Sequence, residues 1–239
     1  LAFLKTPHLV QVIQENLRCG NLWGVQLEES GGAGTAGSHW EARFVNDEYM
    51  AGFITDTMPV SMLTLALFED MGWYSVDYSG AEYWVWGRDE ECDFLMRRCE
   101  ADNAWKDKPG YWCDASTSDR RQCTPDRLGK GTCYFSTSLS LPGAYYEHFS
   151  NPFHGGTNPA ADFCPFYAAI NDLGDTYCID ASNSGSGEYF GADSRCFEYS
   201  AGSSLASDPE LRCLQHRCPS ATELQVRFTE NNTGWFGVN

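Results

Sequence analysis

Apolar residues first recur at helical spacing at Leu9, Val12, Ile13 and Leu17, which fall on one face of a 3.6-residue turn. Thr6 precedes Pro7, the order of a cap followed by a first helical residue, and Cys19-Gly20 closes the segment. The pattern predicts an amphipathic surface helix. The period then shortens, and Leu22, Trp23, Val25 and Leu27 read as a short strand or extended segment. Residues 30–38 are nearly all small, the composition of a flexible loop, but the adjoining His39 and Met50 argue against that reading. A second helix is expected from about Pro59 to Met71, capped by Asp56 or Thr57, with Met62, Leu63, Ala66, Leu67 and Met71 inward and Gly72 ending it. From Cys99 onward the helical period is lost, Ser, Gly and Asp abound, and short strands are expected at Gly131–Leu139, Glu188–Phe190 and Leu224–Phe228. The fold class expected is α+β, with residues 1–98 as one domain and a disulfide-rich, mostly irregular or β domain at 99–239.

Composition sharpens this picture. Of eleven cysteines, nine lie from Cys99 onward, and no C-x-x-C pair or histidine cluster accompanies them. Such usage fits disulfides and an oxidising compartment rather than zinc fingers. A net charge of -17 disfavours nucleic acid and anionic lipid as partners, since both would be repelled. The most apolar stretch, Met58 to Phe68, is broken by Pro59, Ser61 and Thr64, and falls short of the roughly 20 residues a spanning helix needs. Asn231 opens an Asn-Asn-Thr sequon, a glycosylation candidate consistent with secretion or the cell surface.

The distinctive chemistry lies at Gly31-Gly32-Ala33-Gly34-Thr35-Ala36-Gly37-Ser38-His39, followed by Asn46-Asp47-Glu48-Tyr49-Met50. Glycines allow the backbone to pack closely behind a histidine, and a methionine eleven residues later can lie beneath it. A catalytic zinc takes three protein ligands and keeps a position for water. None of the five histidines (His8, His39, His148, His154, His216) has another four residues on, so the His-Glu-x-x-His helix that supplies two ligands and a general base is not in this chain. His148 and His154 lack metal spacing and His216 lies between Cys213 and Cys218, so these three are expected to be structural. Asp47 and Glu48 point apart in extended chain and are expected to support the turn rather than act as an acid–base pair.

The segment resembles the third-ligand region of the leishmanolysin family of zinc metalloendopeptidases, where G-G-x-G-x-A-G-S-H is followed by D-E-x-M. Thr6-Pro7, Cys19, the run from Leu63 to Tyr74, Trp86-Gly87 before Cys92, Phe94-Leu95 and Cys99 extend the resemblance over about the first hundred residues. Cysteine order carries it beyond. It implies that residues 1–98 are the C-terminal part of a metzincin-like catalytic region, that His39 is the third zinc ligand and that Met50 belongs to the turn beneath the metal. It further implies that Ala51, Gly52, Phe53 and Ile54 shape the pocket for the residue following the cut bond, with an apolar side chain preferred there. The general-base glutamate is missing, so no catalytic residue is assigned. One zinc ion is expected only if an N-terminal segment or companion chain supplies the His-Glu-x-x-His helix.

Laid on the family's cysteine order, the pairs implied are Cys19 with Cys92, Cys99 with Cys164, Cys113 with Cys133, Cys123 with Cys196, and Cys178 with Cys213. Cys218 is left unpaired, its family partner lying nearer the C-terminus; a free or intermolecular thiol is the alternative. On this reading the chain begins after a break in the insertion that precedes the third histidine and stops short of its natural end. A glycolipid anchor is left open. The function expected is a portion of a secreted or cell-surface zinc endopeptidase acting on proteins or peptides. The alternative is a non-catalytic adhesion or extracellular assembly protein on the same scaffold. A disulfide-rich lectin-like or inhibitor module would account for 99–239 but leave the His39 segment unexplained.

Overall fold

The computed structural model describes residues 1–55, 57–99, 111–118, 120–169, 176–199, 210–227 and 234–238. Asp56, one of the two expected caps, and Asn231 lie outside these residues. In chain order the elements are β1 (Ala2–Leu4), α1 (Pro7–Leu17), β2 (Val25–Leu27), α2 (Met62–Asp70), α3 (Asp93–Met96), β3 (Arg121–Cys123), β4 (Lys130–Cys133), β5 (Phe135–Ser136), β6 (Gly155–Gly156), β7 (Tyr167–Ala168), β8 (Ser194–Tyr199), β9 (Glu210–Ser220), β10 (Glu223–Arg227) and β11 (Phe236–Val238). The fold is α+β. It forms two compact units, residues 1–101 with 138–164, and residues 102–137 with 165–239. No helix among the described residues is long and apolar enough to cross a membrane.

In the first unit β1 and β2 pair antiparallel, Ala2 opposite Leu27 and Leu4 opposite Val25. Helix α1 starts at Pro7 as its sequence predicts, but Thr6, at the cap position, makes no side-chain capping bond. The cap comes from the end of α2 instead: the Asp70 carboxylate accepts the main-chain N–H groups of His8 and Leu9 at 3.3 and 3.0 Å. A carboxylate there satisfies two donors that no helical carbonyl reaches and favours the positive end of the helix dipole. Desolvation pushes the Asp70 carboxyl up, but the hydrogen bonds from Leu9 and His8 help to outweigh it and bring it down to about 2. Leu9, Ile13 and Leu17 have no exposed surface, and neither do Leu63 and Ala66 on α2, against which α1 packs. Each fully buried large aliphatic side chain stabilises the fold by about 1.5–3 kcal/mol.

Helix α2 begins later than expected. Ser61 is its cap, with Oγ accepting from Leu63 N at 3.1 Å, rather than Asp56 or Thr57. The cause is Glu48, whose Oε1 accepts both the N–H and the hydroxyl of Ser61 at 3.1 and 3.0 Å and so holds Ser61 extended. The inward face also differs from the periodicity: Leu63, Thr64 and Ala66 are buried, whereas Met62 and Met71 are 46% and 39% exposed. Thr64 takes an inward place because its hydroxyl accepts the Trp40 indole N–H at 3.0 Å. Gly72 ends the helix as expected, in the left-handed conformation at φ +69°.

The interior of this unit also holds charge. Arg43 is buried and its guanidinium donates to the carbonyls of Leu95 and Arg97. Glu41 and Asp162 are wholly buried; Tyr145 donates its hydroxyl to Asp162 at 2.8 Å. Burial, reinforced by the nearby charges of Asp162 and Glu28, pushes the Glu41 carboxyl up to about 10, so it is a neutral acid at neutral pH. Burial also raises Asp162, to about 6.

The second unit contains a three-stranded sheet in the order β3-β4-β7 and a four-stranded sheet in the order β11-β10-β9-β8. Strands β8 and β9 run antiparallel with Cys196 opposite Cys213. Of the expected strands, 131–139 appears as β4 and β5, 224–227 as part of β10, and 188–190 is not a strand. That last segment is fixed by single bonds, such as Tyr189 N to Cys213 O at 2.8 Å. Sulfur forms much of the interior: Cys123, Cys178, Cys196 and Cys213 make one buried cluster with Phe190 and Leu211 against it. Lys130 is buried beside Glu188, with Nζ to Oε1 at 2.6 Å, and Glu188 also accepts the Cys213 N–H. Five disulfides join Cys19–Cys92, Cys99–Cys164, Cys113–Cys133, Cys123–Cys196 and Cys178–Cys213, the same pairs that the cysteine order implies, and Cys218 is exposed and unpaired. Five such bonds fit folding in an oxidising compartment.

Two predictions follow from the first unit. Replacing Asp70 by Ala removes the cap of α1 and is expected to cost about 1–2 kcal/mol in urea unfolding at pH 7, an effect that fades as pH falls toward 2. Glu41 behaves in the opposite sense. Above about pH 4.5 the unfolded chain releases a proton that the folded chain retains, so stability falls as pH rises from 4.5 toward 10. Glu41→Gln is therefore expected to flatten the pH dependence of Tm, raising Tm at pH 8 and leaving it nearly unchanged at pH 4.5. Each kcal/mol recovered corresponds to about 2–4 °C.

Candidate zinc-ligand site

The glycine-rich segment makes a short helical turn at Gly32–Gly34 and then runs alongside β2. Gly37 N donates to Glu28 O at 2.8 Å, Glu28 N to His39 O at 2.9 Å and Glu41 N to Gln26 O at 3.0 Å. The histidine is thus carried on a strand-like rung, not on a loose loop. The next residue turns toward the methionine: Trp40 N donates to Met50 O at 2.8 Å, and Trp40 lies beside Ala51 in a parallel bridge. These bonds close the eleven-residue gap between His39 and Met50. Both line one cleft of about 230 Å³, together with Leu27, Leu67 and Phe68.

Glu48 sets the turn. Its side chain has no exposed surface; Oε2 accepts the N–H of Met50 at 2.7 Å while Oε1 holds Ser61 at the start of α2. One carboxylate therefore ties the methionine to the helix behind it, the supporting role expected of Glu48. The residues after Met50 occupy other places. Ala51 is buried in the bridge to Trp40, and Gly52 lies against Glu28, whose Oε2 would stand 2.7 Å from any Cβ there. Ile54 is 86% exposed. None of Ala51, Gly52, Phe53 and Ile54 lines the cleft beside His39; Leu27, Leu67 and Phe68, which the sequence did not place in the site, do.

The His39 ring is compatible with metal ligation. Its Nδ1 is buried and has no hydrogen-bond partner among the described residues. An imidazole committed to no protein partner can place a lone pair on an ion, and the mainly apolar wall around it keeps competing water few. Among the described residues the one cluster of three metal-ligating side chains is Cys99, His148 and Cys164, so this chain's described residues place no further ligand group of that kind at His39. His148 has Nε2 at 2.9 Å from Asp162 O, and His216 has Nδ1 at 2.7 Å from Asp193 O. The approach of His148 to two cysteines is a feature that spacing alone conceals.

Comparison with known proteins agrees with these features. The sequence profile described as leishmanolysin matches residues 1–237. A leishmanolysin homolog of Crithidia fasciculata is 37% identical over 184 residues, covering 77% of this chain and 27% of its own length. Leishmanolysin of Leishmania donovani is 32% identical over 232 residues, covering 93% of this chain and 38% of its own. A leishmanolysin-like peptidase of Drosophila melanogaster is 34% identical over 176 residues, 67% of this chain and 26% of its own. The chain thus spans between 26% and 38% of the length of these relatives. Matched along nearly its whole length, with histidine and methionine brought to one cleft on an α+β unit, the chain belongs to the leishmanolysin family.

Proposed function

We propose that this chain is the part of a secreted or cell-surface zinc endopeptidase that completes the metal site, with His39 as third ligand and Met50 as the floor beneath the ion. The observation that carries the reading is that these two residues, eleven apart in sequence, line one cleft. The family is one of zinc-dependent peptidases; zinc, when bound, acidifies its water and polarises the scissile carbonyl. The work of this chain's own residues is positional. Trp40 and the Gln26–Glu28 rungs hold the His39 backbone, Glu48 holds Met50, and Leu27, Leu67 and Phe68 offer an apolar seat for one face of a helix. That helix carries the His-Glu-x-x-His sequence and comes from an N-terminal segment or companion chain. Protein or peptide chains are the substrates, and the five disulfides and the sequon at Asn231 support an extracellular location.

Two measurements test this. Native material analysed by intact mass, N-terminal sequencing and elemental analysis is expected to contain one zinc per chain together with a His-Glu-x-x-His segment, joined or associated. Absence of both metal and such a segment contradicts catalysis and favours the non-catalytic adhesion scaffold. In a polypeptide containing both segments, Glu48→Ala is expected to weaken zinc by about 10–100-fold, as changes behind a ligand do. His39→Ala is expected to lose more than that, with peptide hydrolysis falling in parallel. Equal zinc affinity in His39→Ala and the parent would remove His39 from the ligand set.

A further inference from the structure

We propose that Cys99, His148 and Cys164 form a second metal site, gated by redox state, which takes a soft or borderline divalent cation such as zinc once the Cys99–Cys164 bond is reduced. The ligating atoms of these three side chains all lie within 4.8 Å of one another. All three residues are buried, at 5%, 3% and 0% exposure. Cys99 follows α3, whereas His148 and Cys164 come from the 138–164 segment of the same unit, so no sequence spacing announces the group.

The histidine is set up for ligation. His148 Nε2 lies 2.9 Å from the carbonyl oxygen of Asp162. A carbonyl only accepts, so Nε2 bears the proton and the lone pair is on Nδ1. Nδ1 is buried and has no hydrogen-bond partner among the described residues. Fixing the tautomer of a ligating histidine through a carbonyl on its other nitrogen is how proteins orient such rings. Two thiolates and one imidazole, with a position left open, suit zinc among the available divalent ions.

In the oxidised chain the two sulfurs are bonded to each other and the site is closed. Two small-molecule thiols open it: their sulfurs join as a new disulfide, the two electrons enter the Cys99–Cys164 bond, and their two protons end on Cys99 and Cys164. A divalent ion then replaces those two protons, which pass to solvent. The exchange substitutes a metal cross-link for a covalent one between the same two segments, so the first unit keeps this tie under reducing conditions.

The test uses the full chain after anaerobic reduction with a water-soluble phosphine, which delivers the same two electrons and takes oxygen from water. Cobalt(II) is titrated in and followed by its thiolate charge-transfer absorption, with zinc as competitor. Reduction exposes other thiols, so the reading is a comparison with Cys99→Ser/Cys164→Ser and with His148→Gln, whose amide still donates toward Asp162 but offers no ligating nitrogen. The parent is expected to hold one more ion per chain than either variant. Equal stoichiometry in all three overturns the proposal, as does a loss in the double serine variant that His148→Gln does not share. Alkylation followed by peptide mass analysis needs no variant. Zinc is expected to protect Cys99 and Cys164 more than the remaining cysteines, and equal reactivity across them contradicts the site.

Discussion

Trp40 is the residue on which the geometry of the first unit depends. Its main-chain N–H binds Met50 O, its neighbour His39 is paired with Glu28, and its indole N–H donates to Thr64 on α2. Three elements that share no local sequence therefore meet at one buried side chain of 2% exposure. An indole buried with its donor satisfied contributes both a large apolar area and a directional bond. Move it, and His39, Met50 and α2 lose their common reference together.

A second carboxylate-based tie works behind this one. Glu48 joins the Met50 turn to the start of α2, and Asp70 joins the end of α2 to the start of α1. The helix is thus gripped at both ends by carboxylates that accept main-chain N–H groups, Glu48 also accepting the Ser61 hydroxyl and Asp70 also pairing with the His8 ring at 2.8 Å. Both grips accept N–H groups that have no intrahelical partner, or that leave a turn, so each carboxylate does what a local cap would otherwise do. The acids at Glu41 and Asp162 follow another logic, because burial drives them toward the neutral form, at Asp162 against the opposing charge of Arg43.

Much of this was legible in the sequence, and the omissions have physical causes. The α1 stripe, the loss of helical period at Cys99 and the His39–Met50 motif could be read because each is a local pattern. The true caps of both helices could not, since Asp70 lies more than sixty residues from the helix that it caps and Glu48 thirteen from Ser61. Thr64 facing inward broke the apolar period because its partner is an indole donor from another segment. The cleft walls Leu27, Leu67 and Phe68 read as ordinary core residues until the fold places them beside His39. The spacing of His148 carries no metal signal, and only the return of 138–164 into the first unit brings it beside two cysteines.

The central claim is that His39 ligates zinc while Met50 lies beneath the ion without binding it. Diffraction at the zinc absorption edge from crystals of the polypeptide that also contains the His-Glu-x-x-His segment tests it most directly. The account predicts an anomalous peak about 2.0–2.1 Å from a ring nitrogen of His39 and from two histidines of that segment, with the Met50 sulfur outside bonding distance. A zinc peak coordinated without His39 would contradict it.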